Sequence, residues 1–210
     1  MKLANDMLAV VTGAGSGMGE SVARALSAQG LKVIVLDVNK AAAKVVANSL
    51  DGLAIECDVS SAESVEQAFD IIKNMPGQLR VAVNCAGIAP AKRAVGRDGP
   101  MALNDFINVI QVNLVGTFNI IRMAANLMMN SEIIDSERGV IINTASIAAY
   151  EGQIGQSAYS ASKGGIVSMT LPLAREFASQ AIRVNTNAPG LIGTPLLLNM
   201  PQEVQDSLAA

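Results

Sequence analysis

The chain has 210 residues, 50% of them hydrophobic and 16% charged, enough apolar material for one α/β domain with a substantial core and too much for a disordered chain. With 15 Lys and Arg against 18 Asp and Glu the net charge is -3, so no general basic field recommends nucleic acid as a partner. Histidine is absent, which removes histidine-dependent triads and the commonest metal ligand; no metal is expected, and acid–base work falls to Tyr, Lys or carboxylates.

Met1-Lys-Leu-Ala-Asn-Asp6 leads at once into the first apolar run and no 18-residue apolar stretch stands out, so neither a signal peptide nor a membrane span is expected. Strand-like runs follow at Leu8–Thr12, Lys32–Asp37, Leu53–Cys57, Val81–Asn84, Gly139–Ala145 and Ile182–Asn187, separated by helical spacings such as Val22, Ala25, Leu26. This β-α alternation predicts a parallel sheet covered on both faces, the doubly wound Rossmann arrangement, in a single domain over residues 1–210. Pro76-Gly77 reads as the turn before the fourth strand, and Pro172 predicts a bend in its helix. Cys57 and Cys85, at strand ends, read as reduced small hydrophobes without a redox role.

Thr12-Gly13-Ala14-Gly15-Ser16-Gly17-Met18-Gly19 joins the first strand to the first helix. Glycines there let the backbone approach a pyrophosphate, and the helix amino terminus offers free N–H groups to its charge. The spacing is T-G-x-x-x-G-x-G rather than G-x-G-x-x-G, because Met18 occupies the third glycine position counted from Gly13. Asp37 ends the second strand, where such folds place an acid on the adenosine ribose hydroxyls. Further on, Ser146 closes the run from Gly139 and precedes Tyr159-Ser-Ala-Ser-Lys163. Tyr159 and Lys163 stand four residues apart and so project from one helix face, where the ammonium can couple to the phenol. Lowering a tyrosine pKa by about three units takes roughly 4 kcal/mol of preferential phenolate stabilisation, which one charge about 4 Å away supplies at an effective dielectric of ~20. Lys163 is therefore expected to lower the Tyr159 pKa and make it a proton donor and acceptor, with Ser146 holding the substrate oxygen.

Together with Asp58-Val59, Asn84-Cys85-Ala86-Gly87, Asn113 and Pro189-Gly190 leading to Thr194, these motifs resemble the short-chain dehydrogenase/reductase family over essentially the whole chain and in the family's order. The resemblance implies a catalytic set of Asn113, Ser146, Tyr159 and Lys163, with Asn113 completing a water-linked proton relay to the lysine. It implies a cofactor site formed by Gly13, Ser16, Gly17, Met18, Gly19 and Asp37. Asp58 and Val59 would border the adenine, and Cys85, Ala86 and Gly87 would line the adenosine and ribose wall. Pro189, Ile192 and Thr194 would cover the nicotinamide side, and Tyr159 and Lys163 would also touch the cofactor. NAD is favoured over NADP, since Asp37 would repel a 2′-phosphate and Ala14, Ser16, Val38 and Asn39 offer it no cation; Lys40, the nearest base, reads as solvated.

Asn143–Ser146, Gly152–Gln156, Ala188–Pro195 and the long stretch Ile88–Leu103 are most similar to members that act on acyl-CoA thioesters and hydroxysteroids. The implied reaction is interconversion of a 3-hydroxyacyl-CoA and a 3-oxoacyl-CoA, with Ser146, Gln153, Gln156, Tyr159, Leu196 and Leu197 around the substrate. Lys92, Arg93 and Arg97 form a basic patch that either meets coenzyme A phosphates or is merely solvated. The alternatives are a 3-oxoacyl-carrier-protein reductase, against which Asp37 argues, and a non-catalytic NAD-binding scaffold, against which the intact Ser146, Tyr159 and Lys163 argue. A cytoplasmic homotetramer is expected, with no nucleic acid or membrane partner. Two departures from the family stand out. Asn187 puts an amide in the sixth strand that would need buried partners, and the chain stops at Ala210, around an expected helix Gln202–Leu208, before a seventh strand that relatives use to close the sheet edge.

Overall fold

Six apolar runs form one parallel sheet in the computed structural model, which describes residues 2–4, 6–199, 202 and 205. The elements, in chain order, are β1 (Met7–Thr12), α1 (Gly17–Ala28), β2 (Lys32–Asp37), α2 (Lys40–Ser49), β3 (Leu53–Glu56), α3 (Ala62–Lys73) and β4 (Gln78–Asn84). The two-residue strands β5 (Val95–Gly96) and β6 (Gly99–Pro100) follow, then α4 (Leu103–Ile110), α5 (Gly116–Met129), β7 (Gly139–Thr144), α6 (Ser157–Ala178), β8 (Ile182–Asn187) and the short α7 (Pro195–Leu198). Strand order is β3-β2-β1-β4-β7-β8, every neighbour parallel. The chain thus starts mid-sheet, winds outward through β2 and β3, then returns to β4 and winds the other way. Its reversal between β1 and β4 leaves a crevice at their carboxyl ends, where ligands bind in such sheets.

Successive strand residues point to opposite faces, and both faces are dry. Val10, Ile34, Leu36, Ile120, Ile121 and Phe69 belong to one core with α3, α5 and α6, while Ala9, Val11, Val33, Val35 and Val83 pack with Ala23, Ala43 and Val46 of α1 and α2. This is why the central strands read as unbroken apolar runs instead of alternating ones. The doubly wound parallel sheet expected from the alternation is therefore present.

Several local expectations change. β4 begins at Gln78, ahead of the run at Val81, because Arg80 is 1% exposed within the strand. Its guanidinium donates to the carbonyls of Glu132 (2.6 Å) and Arg138 (2.9 Å) and to the Gln78 side chain, which makes a buried cation tolerable. Asn187 is exposed, not buried: β8 alternates, with Ile182 and Val184 inward and Arg183, Asn185 and Asn187 outward, so the amide needs no internal partner. Among the described residues β8 pairs only with β7 and forms a sheet edge. As expected, Pro172 lies inside its helix, α6, at an exposed position where water can take over the carbonyl that the ring leaves unpaired.

From Leu103 to Met129 the chain is one 27-residue helix containing an 18-residue window of mean hydropathy 1.2, contrary to the expectation that no such stretch exists. Part of its apolarity is used in the core, where Ile120, Ile121, Ala124, Ala125 and Met128 pack against the sheet, while Leu103, Ile107, Val115 and Phe118 stay exposed. In its middle, Gln111–Val115 form a π-helical turn. The expected helix Gln202–Leu208 lies outside the described residues apart from Gln202 and Gln205.

Candidate active site

The glycine loop closes over the crevice by contacts that exclude side chains. A Cβ on Gly19 would lie 2.2 Å from the Gly13 carbonyl oxygen, and one on Gly13, whose φ is +61°, would lie 2.7 Å from Ala86 Cα. Thr12 Oγ1 accepts from the N–H groups of both Cys85 and Ala86 at 3.1 Å, tying the β1 end to the β4 end. Ser16 is the amino-terminal cap of α1 and makes no side-chain capping bond, so the first-turn N–H groups keep their donor capacity for an anion. Asp37 accepts from Gly15 N (2.9 Å) and Asn39 N (2.8 Å), which fixes its carboxylate beside the loop and leaves lone pairs for hydroxyl donors. Gly17 lies within 3.3 Å of Thr194 as judged from its Cβ position, so the loop after β8 comes down on the glycine turn. A tight backbone cradle, an uncapped helix start and an oriented carboxylate fit a dinucleotide.

At the other side of the crevice, Ser146, Tyr159 and Lys163 line one cleft with Met18, Cys85, Gly87, Thr144, Gln153, Gln156, Pro189, Ile192, Thr194, Leu196 and Leu197. Ser146 caps a 3-10 turn, Ile147–Ala149, by accepting from Ala148 N (3.2 Å), which leaves its own proton for the Tyr159 phenol oxygen, its partner. Lys163 is 5% exposed, donates to the Thr144 carbonyl at 2.7 Å and sits 5.5 Å from the Tyr159 ring centroid. Burial pushes its pKa down to about 8, with Cys85 opposing. Burial likewise pushes the Tyr159 phenol up, and the bond with Ser146 works against that. This corrects the expectation of a phenol lowered by Lys163: both groups are desolvated together, and the ammonium spends its short bond on Thr144.

Asn113 sits in the π-helical turn, fully buried and outside the cleft wall. Its Oδ1 accepts from Ile88 N (2.8 Å) and its Nδ2 donates to Ile88 O (2.9 Å) and Ser162 Oγ (3.1 Å), holding Gly87 and α6 in place. The Gly87 Cβ position would lie 3.2 Å from Asn113 Oδ1 and 3.8 Å from Lys163 Nζ, so the two side chains flank one glycine. Cys85 and Gly87 line the same cleft as Lys163, whereas Ala86 N donates back to Thr12 Oγ1. Asp58 lies away from this cleft, at the β3 end, with its Oδ1 accepting from Ser60 N (2.9 Å) and Oγ (2.6 Å); Val59 is buried against Gly116. Gln156 turns its Oε1 to Gln153 N (2.9 Å), so the pair shapes one loop of the wall. Of the basic patch, Lys92 is paired with Asp105 at 2.6 Å, while Arg93 and Arg97 are exposed and make no ion pair among the described residues. The carbonyl of Thr144 and the hydroxyl of Thr12 were not singled out from sequence. A strand-terminal Thr is the only trace of either, and main-chain acceptors leave none.

A sequence model of the short chain dehydrogenases matches residues 7–205. A rat (Rattus norvegicus) protein described as 3-hydroxyacyl-CoA dehydrogenase type-2 is 48% identical over 97% of this chain and 80% of its own length. A bovine (Bos taurus) 3-oxoacyl-[acyl-carrier-protein] reductase is 34% identical over 95% of this chain and 81% of its own. The crystal structure of 3-hydroxyacyl-CoA dehydrogenase type-2 from Mycobacterium avium superposes with a TM-score of 0.87 at 38% identity, covering 95% of this chain and 79% of that one.

Proposed function

The chain belongs to the short-chain dehydrogenase family, an oxidoreductase family, and from that premise we propose that it uses NAD to interconvert a 3-hydroxyacyl-CoA and a 3-oxoacyl-CoA. The observation that carries the reading is the meeting of Ser146, Tyr159 and Lys163 in one cleft at the carboxyl end of the sheet, with the glycine cradle beside it. When bound there, nicotinamide supplies or accepts the hydride. The protein's own part is the proton. In the reducing direction Ser146 and Tyr159 donate hydrogen bonds to the ketone oxygen, and Tyr159 passes its proton to that oxygen as it becomes an alcohol. Lys163, held on the Thr144 carbonyl with its Nζ 5.5 Å from the Tyr159 ring centroid, keeps an ammonium in the cleft below about pH 8. Asn113 holds the Gly87 segment against which the lysine rests, and Gln153, Gln156, Leu196 and Leu197 enclose the acyl part.

NAD is favoured over NADP by the fixed Asp37 carboxylate and by Lys40, the nearest base, which is engaged by Glu56 at 3.1 Å. Arg93 and Arg97 are the cations left to meet coenzyme A phosphates. A homotetramer in the cytoplasm completes the reading, on family resemblance. Initial rates with acetoacetyl-CoA and with acetoacetyl-carrier protein, each with NADH and with NADPH, test it. At least a tenfold preference for NADH and for the CoA thioester is expected. Preference for NADPH and the carrier protein would move the assignment to the reductases, and no turnover by a folded, NADH-binding chain would favour a scaffold.

A further inference from the structure

The 58–61 turn, at the end of β3, is gripped from the far side by the long helix. Asn119 Nδ2 donates to the carbonyls of Val59 (3.0 Å) and Ser61 (3.3 Å), and Gln111 Nε2 donates to the Ser60 carbonyl (3.1 Å). Between them Gly116 lets Val59 approach, since a Cβ there would lie 2.6 Å from Val59 Cγ2. Three consecutive carbonyls, 59 to 61, are thereby held by one helix face.

The orientation of Asn119 is itself enforced. Arg122 Nε, which can only donate, bonds Asn119 Oδ1 at 2.8 Å, so the Nδ2 must face the turn. Arg122 is anchored in turn by Glu66 of α3 at 2.8 Å. Asn119 is 6% exposed, so its amide has little recourse to water. In an uninterrupted α-helix residues 111 and 119 would project about 80° apart; the extra residue absorbed by the π-helical turn brings them to within roughly 20°, onto the same turn. The π turn therefore has a use beyond presenting Asn113.

We propose that Asn119, oriented by Arg122 and Glu66 and assisted by Gln111, is a positioning residue for the adenosine half of the dinucleotide, setting the 58–61 turn at the height of the Asp37 carboxylate. The inference rests on the dinucleotide reading above. A nucleotide whose reactive end lies by Tyr159, next to β7, and whose ribose meets Asp37 at the β2 end must carry its base on toward the β3 end, where this turn is. Cys57 N, donating to the Asp37 carbonyl at 2.9 Å, locks the two strand ends together.

The test is calorimetric binding of ADP-ribose to the full chain and to Asn119→Asp and Arg122→Met variants, with KM and kcat for NADH measured alongside. Asn119→Asp keeps the size but turns the donor into an acceptor facing two carbonyls. Expected are a loss of ADP-ribose affinity of about tenfold or more, a matching rise in KM for NADH, and a change in kcat of less than about twofold; Arg122→Met should show the same pattern more weakly. If either variant folds and binds ADP-ribose as the parent does, or loses kcat in step with affinity, the inference is wrong. A parent chain that does not bind ADP-ribose would overturn the dinucleotide reading itself, and this inference with it.

Discussion

Lys163 shows what the cleft costs at the level of one residue. Its ammonium is almost wholly removed from water, and burial moves its pKa from 10.5 to about 8. Below about pH 8 both folded and unfolded chains hold the proton and the desolvation penalty is paid in full. Between about 8 and 10.5 the unfolded chain still binds a proton that the folded chain has released, so stability rises with pH across that window. Lys163→Met should consequently unfold at higher denaturant than the parent at pH 7, by up to about 3 kcal/mol less what the unpaired Thr144 carbonyl gives back, and the advantage should shrink toward pH 10.5. Urea titrations at pH 7 and 10 check this. A variant no more stable at pH 7 would mean that the lysine is not strained by burial. At this scale the sequence is informative: Ser146, Tyr159 and Lys163 were legible because their spacing carries chemistry. The rise in the Tyr159 pKa was not, because it comes from neighbours distant in sequence that shut out water.

Among the elements, the glycine loop and the π-helical turn do most to place the site. The loop was readable because only glycine tolerates the crossing of Gly13 and Gly19, and glycine adopts the positive φ at Gly13 and Gly17 at no steric cost. Gly19→Ala should destabilise the chain by about 1–3 kcal/mol, since the new methyl meets the Gly13 carbonyl and something must shift, and should weaken NADH binding in fluorescence titrations. A variant of parental stability and affinity would show that the loop is not closed as described. The π turn had no signature, because Gln111–Val115 look like any helical stretch and the extra residue is set by partners on the 58–61 turn, on the 87–88 segment and on α6. The β5–β6 hairpin, inside the long stretch Ile88–Leu103, likewise left no trace, two residues a side being too few for a pattern.

Across the whole molecule, the sheet separates stability from chemistry. Its carboxyl edge carries the cleft, and its opposite edge carries Arg80, which gathers the carbonyls of Glu132 and Arg138 around a buried charge. Arg80→Ala should cost on the order of 3 kcal/mol, by leaving the Glu132 and Arg138 carbonyls without their donor, while kcat of the remaining folded enzyme stays within about twofold of the parent. Thermal melts and saturating rates on the same preparation separate the two effects; a parental melting temperature would contradict the account. The parallel architecture was legible from alternation alone, since a strand buried on both faces must be apolar throughout. Arg80 hid the start of β4, because a charge inside a strand reads as an end unless its carbonyl partners, more than 50 residues away in sequence, are known.

Tyr159 carries the proposed proton transfer. The decisive measurement is the rate of NADH oxidation by acetoacetyl-CoA for the parent and for Tyr159→Phe, each shown by titration to bind NADH. Turnover by the parent and a loss of about 10²–10⁴-fold in the variant with NADH affinity kept are expected, since only the transferable proton has been removed. A variant that retains the parental rate would contradict the proposed transfer.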